Sequence, residues 1–130
     1  MQTVTYPSLI PRLLEGLPGI RDLYESRLHE LYAEGNPCVI YGSILPEYVE
    51  QQMAQLQSPN RDRARSEMLS VFTLIETLAS RGDFDTRCVV ETEFLESMLL
   101  GTTDWYPLLE PFMGAETRRS AETVAAHRRA

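Results

Sequence analysis

Between Arg61 and Gly101 apolar residues recur at steps of three and four, and the rest of the chain is organised around that stretch. Ala64, Met68, Val71, Phe72, Ile75, Leu78 and Ala79 fall on one face of a helix. The turn Arg81-Gly82-Asp83 follows. Gly82 can take the left-handed conformation that closes a helix, and Asp83 or Asp85 can offer a side-chain oxygen to the free amides of the next one. That next helix places Cys88 or Val89, Val90, Phe94, Leu95, Met98 and Leu99 on its apolar side and stops at Gly101. Two helices joined so tightly are expected to lie antiparallel as a hairpin, and a hairpin leaves apolar faces that flanking segments must cover.

The flanks read as helical too. Ser8 is placed to cap a short helix through Leu13 and Leu14, with Pro11 in its first turn and Gly16 at its end. Pro18 opens a longer one, Ile20 to Glu34, whose buried stripe is Ile20, Leu23, Tyr24, Leu28, Leu31 and Tyr32; Gly35-Asn36-Pro37 ends it. Cys38 to Tyr41 is short, apolar and partly β-branched, and a single strand has nothing to pair with. A buried connector to a cap at Ser43 is therefore expected. Ile44, Leu45, Tyr48, Val49, Met53 and Leu56 carry a helix ending before Ser58-Pro59, and Asn60 is placed to cap the central hairpin. After Gly101, Thr102 to Asp104 can cap a short helix from Trp105 to Met113 with Trp105, Leu108, Leu109 and Phe112 inward. The pattern predicts an all-α, compact bundle of about five or six helices around the central hairpin. One domain spans residues 1–114, and a C-terminal tail, helical or frayed, spans 115–130.

Composition narrows the function classes. Hydrophobic residues make up 43% and charged residues 24% of 130, which is enough to bury one core and not two. The net charge of −7 disfavours nucleic acid and anionic lipid as partners, because neutralising phosphates is the main source of such affinity. A basic protein partner fits better. The N-terminus lacks the charged start and apolar run of a secretory signal, and no apolar run approaches the roughly 18 residues of a membrane span, so a cytoplasmic location is expected. Cys38 and Cys88 have no partner at metal-ligand spacing and read as reduced core thiols.

Candidate chemistry is sparse. The only histidines are His29 and His127, and Glu25 precedes His29 by four rather than the three a di-iron helix pair uses. No catalytic, cofactor or metal set is expected. Carboxylates are plentiful: Asp83, Asp85, Glu91, Glu93 and Glu96 gather at one end of the hairpin, although Glu91 and Glu93 should point ~160° apart on a helix. With Trp105 and Tyr106 at the edge, they form a candidate partner-binding surface, an aromatic anchor in a charged surround. Arg61-Asp-Arg-Ala-Arg65 is the one basic cluster, and Asp62 and Glu67 lie within pairing reach of it.

Leu17-Pro-Gly-Ile-Arg-Asp-Leu-Tyr-Glu25, Val39-Ile-Tyr-Gly42 with Tyr48-Val49, and Leu74-Ile-Glu76 with Gly82-Asp83 and Val90-Glu-Thr-Glu-Phe-Leu-Glu96 resemble segments of a family of small, uncharacterised, helical bacterial proteins. Phe112-Met-Gly114 is similar to a further segment, and the resemblance spans residues 9–116. The chain departs in Thr92-Glu93, where the family has Val-Ser, and in a longer loop after Leu100. Such families are often encoded beside polymorphic or contact-delivered toxins. The resemblance thus implies a non-enzymatic immunity protein that neutralises a cognate toxin domain with a basic active-site cleft, as a monomer in a one-to-one complex. Two other readings stand beside it. One is a helical interaction or regulatory module acting as a homodimer without a toxin; the other is a carboxylate-dependent metalloenzyme.

Overall fold

The computed structural model describes residues 3–31, 34–101 and 105–129. They form an all-α bundle with seven helical runs and, among the described residues, no strand. α1 is Leu9–Gly16 and α2 is Arg21–Leu28, each entered through a 3-10 turn, Tyr6–Ser8 and Pro18–Ile20. α3 runs over residues 37–55 as Pro37–Val39, a π-helical stretch Ile40–Ile44, and Leu45–Gln55. α4 is Arg61–Arg81. α5 runs over residues 84–99 with a π-helical stretch, Val89–Leu95, in its middle. α6 covers residues 106–112, its last turn 3-10, and α7 is Ala115–Arg129.

α4 is the hub the sequence pattern predicts. Ala64, Met68, Val71, Phe72, Leu74, Ile75 and Leu78 are all buried on it, and α3, α7 and α1 pack around it. Phe72 meets Phe94 of α5 at a centroid distance of 6.0 Å and Phe112 of α6 at 6.4 Å. Such ring pairs add about 1 kcal/mol each beyond the area they bury.

The turn into α5 works differently from the sequence expectation. Gly82 is extended (φ −71°, ψ 148°), not left-handed. Its lack of a side chain matters because a Cβ there would collide with the Leu78 carbonyl and stand 2.7 Å from Thr86 Cγ2. The extended backbone pairs with the N-terminal segment: the Val4 amide donates to the Arg81 carbonyl (2.7 Å) and the Asp83 amide to the Val4 carbonyl (2.8 Å). Asp83 caps α5, as the sequence allows, with its carboxylate accepting from the Thr86 amide at 2.9 Å.

Other terminal signals are reassigned. Ser8 and Asn60 precede their helices without capping them, and the Ser8 hydroxyl donates instead to the Thr5 carbonyl. Cys38 to Tyr41 is helical, not a connector, because Asn36 caps the amides of Cys38 and Val39 and the helix continues unbroken past Ser43. Gly35 before it takes the one left-handed glycine conformation among the described residues, φ 69°. Leu108 is exposed rather than inward, and Cys38 and Cys88 are half-buried free thiols. α2 stops at Leu28, short of Glu34; Tyr32 and the expected cap at Thr102 to Asp104 lie outside the described residues.

α7 covers the core with small side chains only, Thr117, Ala121 and Val124. What anchors it is Glu76 of α4, whose carboxylate accepts from the Glu116 amide (3.2 Å), the Thr117 amide (2.9 Å) and the Thr117 hydroxyl (2.9 Å). One helix thus caps another across the bundle, satisfying first-turn amides that have no partner within their own helix. Gly114 makes room for it, since a Cβ there would lie 2.5 Å from Glu76 Cδ. Replacing Glu76 with Ala removes three charge-assisted hydrogen bonds and should cost about 2 kcal/mol in urea unfolding, with faster amide exchange in α7 than in α4. Exchange in α7 that is unchanged in the variant would show that its apolar contacts suffice.

Candidate functional site

The residues expected at a partner surface divide among three places. Asp83 is committed to the fold, because its second oxygen accepts from the Tyr6 amide (3.3 Å) while the first caps α5. Hydrogen bonding from Thr86, by side chain and amide, and from the Tyr6 amide holds its carboxyl below the ordinary range. It aims α5 and leaves no oxygen free of a partner.

Asp85 and Glu93 come together on the edge where α5 meets the N-terminal segment and α3. Tyr6 feels the charge of both, and its hydroxyl stands 3.8 Å from the Cys38 sulfur; burial first, then the Cys38 contact and the two carboxylates, raise the Tyr6 pKa. Glu93 packs over Gly42, where a Cβ would come 2.9 Å from its Oε2, and the Ser97 hydroxyl donates to the Gly42 carbonyl at 2.8 Å. The two π-helical stretches therefore touch each other at the acidic edge. In each the wide turn is visible as an i to i−5 bond, Leu45 amide to Ile40 carbonyl and Glu96 amide to Glu91 carbonyl. Such turns recur at functional positions in helices. Glu96, exposed, extends the edge by one turn.

Glu91 faces the other way, as its spacing from Glu93 predicts. It lines a groove of about 360 Å³ between α5 and α7 together with Phe84, Arg87, Cys88 and Arg119. Trp105 is half-buried against the core, and its carbonyl accepts from the amides of Leu108 and Leu109. Tyr106 is also half-buried; burial, then the charges of Glu110 and Glu122, raise its pKa. Neither aromatic is an open anchor.

The exposed aromatic is Phe84, which sequence reasoning passed over, at 72% exposure. It directly follows the cap Asp83, at the first position of α5, and lines the same groove as Glu91. A large apolar residue after an N-cap and outside the three-and-four pattern was the available signal.

His29 stands exposed with Nδ1 3.7 Å from Glu34 Oε1, and the side chain of His127 lies outside the described residues. No group of three His, Cys, Asp or Glu among the described residues is placed to hold a metal ion, and no described helix is long and apolar enough to cross a membrane.

Fold and surface together define a small all-α protein with an acidic edge on one side of α5 and an exposed phenylalanine in the groove on the other. The chain belongs to the family of the domain of unknown function DUF7674, whose model matches residues 10–128. Comparison with the curated proteins and with the solved structures finds no match.

The Asp83 arrangement sets an acid limb. A carboxyl whose folded pKa is depressed stabilises the fold above its unfolded value, near 4, and that contribution is lost as pH falls through the lower folded value. Asp83→Asn should therefore be less stable than the parent at neutral pH and should close the gap as pH falls below about 4. Urea midpoints measured across that range that run parallel for both proteins would remove Asp83 as the cause.

Proposed function

We propose that this chain is a non-enzymatic immunity protein that binds a cognate bacterial toxin domain in the cytoplasm and blocks a basic cleft on it. The observation that carries the reading is the acidic edge of Asp85, Glu93 and Glu96 on α5, with Phe84 open to solvent at the start of the same helix, on the side of Glu91. Carboxylates along the edge steer a cationic partner and fix its orientation, and a partner that reaches round the start of α5 buries Phe84 as an apolar anchor. The resemblance of residues 9–116 to toxin-associated helical families supports the same role and is an association, not geometry.

A homodimeric regulatory module is the second reading, and one feature favours it. An open groove of about 520 Å³ lies between α1 and α4, and Leu69 on its wall is half exposed. Light scattering on the purified chain separates the two states.

The test of the leading reading is co-expression with the product of the adjacent upstream gene. Suppression of that product's lethality, with recovery of a one-to-one complex, is the expected result. Phe84→Ala, or Glu93→Arg with Glu96→Arg, should then weaken the complex by more than about tenfold while the helical circular dichroism is unchanged. An affinity untouched by both changes would sink this surface, and no protection at all would sink the function.

A further inference from the structure

The arginine cluster at the start of α4 is not part of the acidic edge, which lies on α5 where it meets the N-terminal segment and α3. Arg61, Arg63 and Arg65 are exposed, and none forms an ion pair among the described residues. Glu67, one turn beyond Arg63 and its natural partner, is engaged elsewhere: it accepts the Tyr48 hydroxyl at 2.8 Å. Arg61 and Arg63 in the first turn, with Arg65 just beyond it, also face the positive end of the helix macrodipole, an arrangement that costs stability and that Asp62 between them offsets only in part. A local rule broken without a compensating pair marks a position kept for another purpose.

Beside Arg63 a cleft of about 270 Å³ opens where the end of α3 meets the start of α4. Gln51, Gln52 and Gln55 line it from α3, Asn60 from the residue before α4 and Arg63 from α4, over the Tyr48 and Glu67 pair. Tyr48 is buried, and burial together with the Glu67 carboxylate raises its pKa, so its hydroxyl stays protonated and occupies Glu67. Gly19 closes the inner wall with bare backbone, since a Cβ there would stand 2.8 Å from the Tyr48 hydroxyl. The Gln55 side-chain oxygen accepts from the Ser58 hydroxyl at 2.9 Å, which leaves the carboxamides of Gln51, Gln52 and Asn60 and the Arg63 guanidinium to meet a ligand.

We propose that this cleft binds the C-terminal carboxylate of a peptide, paired with the Arg63 guanidinium while the glutamine side chains bond the last peptide groups. A guanidinium presents a planar fork that matches a carboxylate. Each carboxamide offers an acceptor and two donors, the complement of the alternating C=O and N–H of a peptide. The cleft is open to solvent, so the rest of the chain has an exit, and Arg61 and Arg65 at the helix start add attraction for the anion.

The test is an amide-resolved NMR titration of the full chain, at low salt, with acetyl-tetraalanine. The expected result is saturable shifts confined to residues 51–55 and 60–67, weakened at least about tenfold in Arg63→Gln, whose exposed position leaves the melting temperature unchanged. The same peptide ending in a carboxamide should bind at least about tenfold more weakly. Equal binding of the amidated peptide, or inorganic phosphate acting at the same residues with the same midpoint, would overturn the proposal. So would shifts that never saturate or that persist in Arg63→Gln.

Discussion

Everything on the α5 side of the bundle depends on a turn with no room for a side chain. Because Gly82 is extended and bare, the backbone on either side of it can exchange hydrogen bonds with Val4, a residue some eighty positions earlier. The Asp83 carboxylate then joins three segments, capping α5 through Thr86 and holding the N-terminal segment through Tyr6. A cap that also ties down a distant strand-like segment fixes the entry angle of its helix more firmly than a cap alone. The direction in which Phe84 and Asp85 project depends on that angle, so the residue that looked like part of a binding surface is the one that aims it.

The second constraint is the pair of π-helical stretches. A π turn holds an extra residue, so it rotates the downstream part of the helix relative to an α-helical continuation, and its poorer bonding must be offset by packing. In α5 the stretch keeps Val89, Val90, Phe94 and Leu95 all buried, which a short α-helical stretch would spread over a wider arc, and sends Glu91 and Glu93 to opposite sides. The matching stretch in α3 brings the bare face of Gly42 against Glu93, and the Ser97 hydroxyl bonds the Gly42 carbonyl across the gap. Removing either wide turn would displace the acidic edge from its neighbour.

How far the sequence revealed this depends on which interactions are local. Helix α4 and the inward residues of α5 were legible because burial on one face leaves a three-and-four spacing in the residues themselves. Asp83 was legible as a cap because its target amide is three residues away. The docking of α7 was not, since its anchor is Glu76, forty residues distant, and its buried side chains are small. Ser8 had the composition of a cap, but its hydroxyl takes the Thr5 carbonyl instead, and Asn60 stands before α4 without a side-chain cap bond. Among the site residues, five carboxylates in a row suggested one surface, whereas the helix distributes them over the cap, the acidic edge and the groove against α7. Trp105 and Tyr106 drew attention as rare large side chains, and burial claimed part of both; Phe84 gave no periodic signal because it belongs to no buried stripe.

These separations change what the net charge of −7 means. Arg63 lies near the start of α4 and Asp83 just past its end, and the helix from Arg63 to Arg81 spans about 27 Å at ~1.5 Å per residue. Screening at physiological salt acts over roughly 8 Å, so neither end feels the other's charges appreciably. The excess of carboxylates is thus an average over distinct surfaces, an acidic edge on α5 and a cleft lined by Arg63 in which the Glu67 carboxylate is taken up by the Tyr48 hydroxyl. An approaching molecule responds to the nearer surface, and its own sign of charge decides which of the two it meets first.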